Sequence, residues 1–328
     1  MSILLSDLKG YGVATEADDD STEQIGGAID TAKKKVFVDY AGNLQLISSA
    51  AGDTVPTVTI TYRNAAGSKL TEAKTLNGQS PVAYAATVER LLKAVKSGST
   101  TGDVAVEASV AERTGTCQAS GNGNVAIALD AGASAVNDAY LGLICRITAG
   151  TGNGQIREVY GYDGTTKIAI INHPWGTNPD GTSEFRLSKG FFFEKSPAEV
   201  LQVRRIFFDA GANPGGGAEK KVYDCICLKN AHASLALTSA VVKEFADPST
   251  LIAFALATAV NDTGTNGAGN TRLVAPAGLT FNSADKNVPG GQLAAGDYIK
   301  VWLELTLAGG AAALKSSYTP YLQGNTVA

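Results

Sequence analysis

Residues that carry chemistry are scarce in this chain. Its 328 residues include two histidines, His173 and His232, one methionine and four cysteines, and only 18% are charged. Two imidazoles and few long charged side chains leave little material for acid–base or metal chemistry, which points toward a scaffold. A formal net charge of −4 argues against a large basic surface able to neutralise phosphates, so nucleic acid is not an expected partner, although a local patch stays open. Long apolar runs are missing as well. The longest, around Leu251 to Val260, falls far short of the roughly 20 residues a membrane helix needs, and no membrane partner is expected. The start, Met1 to Lys9, has neither a basic n-region nor a long apolar h-region and does not read as a secretory leader.

Catalytic signatures are equally absent. No G-x-S-x-G, H-E-x-x-H, phosphate-binding loop or dinucleotide fingerprint is found, and Gly215-Gly216-Gly217 is a plain loop because no Lys-Ser/Thr and no helical pattern follow it. The acidic run Glu16 to Glu23 lacks the spaced ligands and bend glycine of a calcium loop and reads as a solvated arm. Asp163 and Asp180 fall on turns, where Asp is expected for backbone reasons. A glycosidase pair assembled from distant carboxylates stays open. No catalytic residue, cofactor or metal ligand is assigned, and the chain is not expected to be an enzyme.

Four cysteines, Cys117, Cys145, Cys225 and Cys227, make no disulfide framework in a chain of this size. Cys225 and Cys227 flank Ile226, so in a strand both thiols point to one face. The plain reading is small core hydrophobes; the sharper ones are a thiol pair or crosslinks between subunits formed outside a reducing cell. Cys225-x-Cys227 near His232 is the only thiol–imidazole arrangement worth naming.

What is present is turn-punctuated alternation. From Leu141 to Leu187, Leu143, Cys145 and Ile147 alternate with Ile144, Arg146 and Thr148. A Gly/Asn cluster breaks the run, and Ile156 to Tyr160, Lys167 to Ile171 and Ser183 to Leu187 resume it. Period-two alternation bounded by such clusters predicts antiparallel strands. Asp163-Gly164 predicts a type I′ hairpin turn, with positive φ at both positions. Upstream, residues 51–110 predict two strands, then a helix with Ser80 as cap, Pro81 in the first turn, an apolar stripe of Val82, Ala85, Ala86, Leu92 and Val95, and Gly98 as its stop. Val104 to Ala108 closes that module as a strand. The fold class expected is mainly β: small β-modules in series, one with a single covering helix, and a C-terminal β-sandwich. The divisions are 1–50, an N-terminal arm; 51–110, a small β-module with one helix; 111–189, a hairpin or barrel-like module; and 190–328, a β-sandwich in which Phe191 to Phe193 and Val200 to Phe208 make a strand pair.

The same block carries a likeness. Gly142, Ile144, Arg146, Ile147, Thr148, Gly150, Gly152, Gly154, Gln155, Arg157, Val159, Tyr162, Asp163, Gly164, Lys167 and Trp175 form a pattern that resembles a small β-module of structural proteins in tailed-bacteriophage particles. The stretches T-V-T-I-T-Y-R-N-A-A-G and L-N-G-Q-S-P-V are similar to modules of the same proteins. The order K-N-x-H-x-S-L, A-P-A-G, V-P-G-G-x-L-A-A-G-D and V-W-L resembles their C-terminal domains. The resemblance implies a virion structural protein, made in a host bacterial cytoplasm, that decorates or cements the capsid. Its implied partners are the major capsid protein or other virion proteins and copies of itself as a dimer or trimer. Two rivals remain: a neck, tail or baseplate component, and a receptor- or carbohydrate-binding adhesin in which exposed aromatics such as Trp175 and Tyr162 line a groove.

Overall fold

The computed structural model describes residues 3, 7–15, 24–34, 41–195, 198–202, 213, 215–312 and 318–326. They form antiparallel strands and no α-helix; one 3-10 turn, Pro289–Gly291, is present. Among the described residues no helix is long and apolar enough to cross a membrane. The chain divides into two compact units, Val36–Val203 and a second made of Met1–Lys35 with Arg204–Ala328.

Strands β1 (Leu8–Thr15) and β2 (Gly26–Lys34) pair with each other. They are followed by the strands of the middle unit: β3 (Gly42–Ser48), β4 (Thr57–Arg63), β5 (Lys69–Thr75), β6 (Val82–Val88), β7 (Arg90–Lys96) and β8 (Val104–Ala108). Next come β9 (Arg113–Thr116), β10 (Ala126–Ala128), β11 (Ile144–Ala149), β12 (Ile156–Asp163), β13 (Ile168–Ile171) and β14 (Glu184–Ser188). The unit closes with β15 (Gly190–Phe193) and β16 (Glu199–Gln202).

Two four-stranded sheets, ordered β15-β8-β3-β6 and β16-β7-β4-β5, face each other. Their shared core is built from alternate residues of both: Leu44, Leu46, Val58, Ile60, Tyr84, Val88, Val104, Val106, Phe191 and Phe193. This is a β-sandwich, and it includes the segment where a helix was expected. Val82, Tyr84, Ala86 and Val88 alternate inward along β6, and Tyr84 donates its hydroxyl to the Val58 carbonyl at 2.9 Å. Alanines, leucines and lysines suit a helix by propensity, and packing against the facing sheet overrides that preference. Glu72 on β5 closes the edge by accepting the Ala85 and Ala86 N–H groups at 2.8 and 3.0 Å.

Between β8 and β15, which are antiparallel neighbours, the chain makes an excursion of six strands ordered β10-β13-β12-β11-β14-β9. The residues after β9 join the two ends of this sheet: Cys117 N–H bonds the Ser183 carbonyl at 2.8 Å and Gln118 N–H bonds that of Ala128 at 3.0 Å. All sides of the resulting small barrel feed one core, including Cys117, Ile127, Cys145, Ile147, Val159, Ala169, Ile171, Trp175, Phe185 and Leu187. Arg113 and Asp130 form an ion pair at its rim. The loop from Gly150 to Gly154 requires glycine by position. Gly150 has φ +74°, and a Cβ there would stand 2.0 Å from the Thr182 carbonyl oxygen.

The remaining strands are β17 (Lys220–Asn230), β18 (Leu237–Ala246), β19 (Ile252–Leu256), β20 (Lys286–Asn287), β21 (Gln292–Leu293), β22 (Tyr298–Leu307) and β23 (Thr319–Thr326). A five-stranded sheet β19-β22-β17-β1-β2 lies against β18 with its neighbours β20, β21 and β23. Val222, Ile226, Val242, Phe254, Ile299, Val301 and Leu303 fill the layer between them. The opposite face of the five-stranded sheet buries Tyr11, Val13, Ile25, Cys225, Cys227 and Trp302.

Several expected boundaries shift. Residues 1–50 are not a loose arm where described: β1 sits between β17 and β2, and β3 is an inner sandwich strand between β8 and β6. Phe191 to Phe193 and Glu199 to Gln202 belong to the middle unit and lie in different sheets, paired with β8 and β7. The acidic run 16–23 and the stretch 203–208 lie outside the described residues.

Candidate functional site

Strand β8 has a core face and a second face, and the second face organises the polar chemistry of the middle unit. Val104 and Val106 enter the sandwich core. With a period of two, Asp103, Ala105 and Glu107 point the other way, toward the barrel. Ala105 joins Ile47, Phe192 and the barrel residues Ile144 and Ile156 in a small apolar cluster. On either side of that cluster is one buried carboxylate.

Asp103, 5% exposed, meets Arg157 of β12 through Nη1–H at 2.9 Å, with His173 Nε2 at 3.4 Å from the same oxygen. Its other oxygen accepts the Lys195 N–H at 3.0 Å. Burial alone raises the Asp103 carboxyl; His173, the Lys195 N–H and the Arg157 guanidinium outweigh it and hold the group below the usual range. Arg157 also donates to the carbonyls of His173, Pro174 and Ile156, and its guanidinium lies 5.0 Å from the Trp175 ring. Behind Asp103, fully buried Lys96 donates to Thr100 Oγ1 at 3.1 Å and the Glu194 carbonyl at 2.7 Å; burial pushes this amine down, against the pull of Asp103, Asp53 and Glu194. Asp53 holds the turn before β8 by accepting from Ser48 Oγ and from the Thr101 and Gly102 N–H groups.

At the other end, Glu107 is fully buried. It accepts from Gln45 Nε2 at 2.7 Å, Arg146 Nη2 at 3.0 Å and Ser188 Oγ at 2.7 Å, and Arg186 Nε stands 3.5 Å away. The seam is therefore an apolar centre between two ionic clusters, with Glu107 on β8, Asp103 immediately before it, and Arg146, Arg157 and Arg186 on the barrel. Chemically this is a clamp. Its carboxylates already accept several donors and are held in place by them.

The residues singled out from sequence are placed as follows. Cys117 and Cys145 lie in the barrel core, and Cys225 and Cys227 lie side by side on one face of β17; all four are buried and in no disulfide. Burial pushes the Cys117 thiol up to about 12 and raises Cys145 as well, so neither is a ready nucleophile. His232 follows β17 and its Nδ1 accepts the Ser234 and Leu235 N–H groups at 3.1 and 2.9 Å. The nitrogen that would take a thiol proton is thus engaged in a turn. Trp175 and Tyr162 are 4% exposed each, which removes both from any surface groove; Trp175 donates to the Ala126 carbonyl and Tyr162 to that of Ser134.

Asp163 and Asp180 serve turns, accepting the Thr165 and Thr182 N–H groups. Among the described residues no group of three or more His, Cys, Asp or Glu is placed to hold a metal. Asp103, Glu107 and Gln45 were not singled out from sequence, and Lys96 was read only as a cation at the end of the expected helix. The signal for Asp103 and Glu107 is that each stands two residues from Ala105 in an otherwise apolar run. Comparison of the chain with protein-family models, with curated proteins and with solved structures finds no match.

Proposed function

We propose that this chain is a non-catalytic structural protein of a tailed-phage particle that decorates or cements the capsid surface. The observation that supports it most is the use of the barrel motif. Residues of the stretch that resembles particle proteins serve structure: Ile144 and Ile147 pack, Gly150 lies against the Thr182 backbone and Gly154 against the Gln79 side chain, Gln155 ties its loop to Gly176 and Thr177, Arg146 and Arg157 clamp the seam, and Tyr162 and Trp175 fill the core. A motif of that kind specifies a rigid module, and rigid modules in series suit binding by many modest contacts across repeated subunits. Exposed apolar side chains spread over the modules are consistent with it: Val55 on the sandwich, Val136 and Ile170 on the barrel, Phe245 and Tyr321 on β18 and β23.

Its partners in this reading are the major capsid protein or other virion proteins and further copies of itself, and its location is the virion. Burial of Trp175 and Tyr162 leaves the adhesin reading without the aromatics it named. The test is copy number per particle, by quantitative mass spectrometry, together with binding of the purified protein to assembled shells. Decoration requires many copies and shells that better resist heat or low salt. A few copies per particle would assign the chain to the neck, tail or baseplate. Absence from particles, with turnover of a substrate by the purified protein, would overturn the proposal.

A further inference from the structure

On the outer wall of the barrel two arginines share one carboxylate. Arg146 and Arg186 are direct cross-strand neighbours on β11 and β14, and both are aimed at Glu107, with 3.0 Å from Arg146 Nη2 and 3.5 Å from Arg186 Nε. The other donors to Glu107, Gln45 and Ser188, are neutral. Arg186 Nη2 donates to the Ala108 and Ser109 carbonyls at 2.6 and 2.9 Å, which are neutral too. The cluster therefore holds two positive charges against one negative, and like charges directly opposite on paired strands repel.

A second observation points the same way. The Nε atoms of both arginines are buried and, among the described residues, donate to no acceptor in hydrogen-bond geometry. Buried donors on charged groups are normally satisfied, and each exception calls for an unseen water or ion. A water would satisfy the donors but leave the surplus charge; an anion answers both. The two side chains keep 14% and 15% exposure through atoms other than the buried Nε, so both arginines reach solvent. Guanidinium groups present planar forked donors that match two oxygens of one ligand.

We propose that Arg146 and Arg186 form a binding site for a small oxyanion, a carboxylate or a phosphate, at the edge of the seam between barrel and sandwich. Because the anion would bridge a junction that exists only in the folded unit, its binding stabilises that unit.

The experiment titrates the full-length protein with sodium phosphate or sodium acetate against sodium chloride at constant ionic strength. It reads heat of binding by calorimetry and the arginine Nε–Hε signals by nuclear magnetic resonance. Saturable binding of either oxyanion in the millimolar range is expected, with the Arg146 and Arg186 signals moving in step. R146Q and R186Q should each weaken it about tenfold or more, and K74Q on β5 should leave it unchanged. The site is overturned if neither oxyanion binds beyond chloride, if both arginine signals stay still during binding, or if both folded variants bind as the parent does. Should the variants fail to fold, the arginine signals of the parent protein decide alone.

Discussion

Replacing Glu107 by Ala would leave Arg146 and Arg186 buried beside a hole with no carboxylate to face. Removing one partner of a buried ionic cluster is expected to destabilise the middle unit by about 3–5 kcal/mol, measured by urea unfolding. The same measurement applies to Gly150→Ala, where a left-handed backbone and the Thr182 carbonyl both resist a Cβ; a loss of roughly 1–3 kcal/mol is expected. Asp103 makes stability depend on acid. Its folded carboxyl lies below its ordinary value of 3.8, so the unfolded chain takes up protons first as pH falls. Its contribution is present above the unfolded value and is lost as pH drops through the folded one. Urea midpoints should decline below about pH 4, and Asp103→Asn should flatten that part of the profile. The thiols add a prediction of the opposite kind. Buried as they are, all four should stay unreactive toward an aromatic disulfide reagent until the chain unfolds, and non-reducing gels of the folded protein should show no crosslinked species.

The elements differ in how far they could be read in advance. The hairpins of the barrel were legible because each is local: alternation and Gly/Asn punctuation place β11, β13 and β14 within one residue of where they lie, while β12 runs three residues beyond the expected Tyr160, to Asp163. The turn between β12 and β13 was not of the expected type. Its left-handed residue is Lys167, at φ 63°, while Asp163 accepts two N–H groups as a cap and Gly164 is required by the approach of the Ala135 carbonyl. The segment 82–96 was misread as a helix because its residues favour one, and only the facing sheet, distant in sequence, makes two strands of it. The seam was illegible for a related reason. Asp103 and Glu107 sit in a short apolar run, and nothing nearby shows that their arginines come from 39 and 54 residues further on. The barrel has a core of its own. Residues 111–189 expressed alone are therefore expected to give dispersed amide spectra, provided Ile144 and Ile156 are made polar where they would otherwise lose their cover.

At the scale of the whole chain, two units with separate cores are expected to unfold in more than one calorimetric transition, with Glu107→Ala moving only the transition of the middle unit. If decoration is the role, that same transition should shift upward when the protein is bound to shells. The order in which the strands are strung has a further consequence. The barrel is nested within the β8–β15 hairpin, and the middle unit is nested within the outer one, since β1 pairs with β17 about 200 residues later. On a ribosome adding roughly 5–20 residues per second, β1 has β2 beside it early but waits on the order of 10–40 s for its other neighbour, β17, to be made. The polypeptide must therefore assemble from the inside outward, like brackets closing: barrel, then sandwich, then the sheet that holds the first strand. Until the last bracket closes, the earliest-made segment is the part most in need of a chaperone.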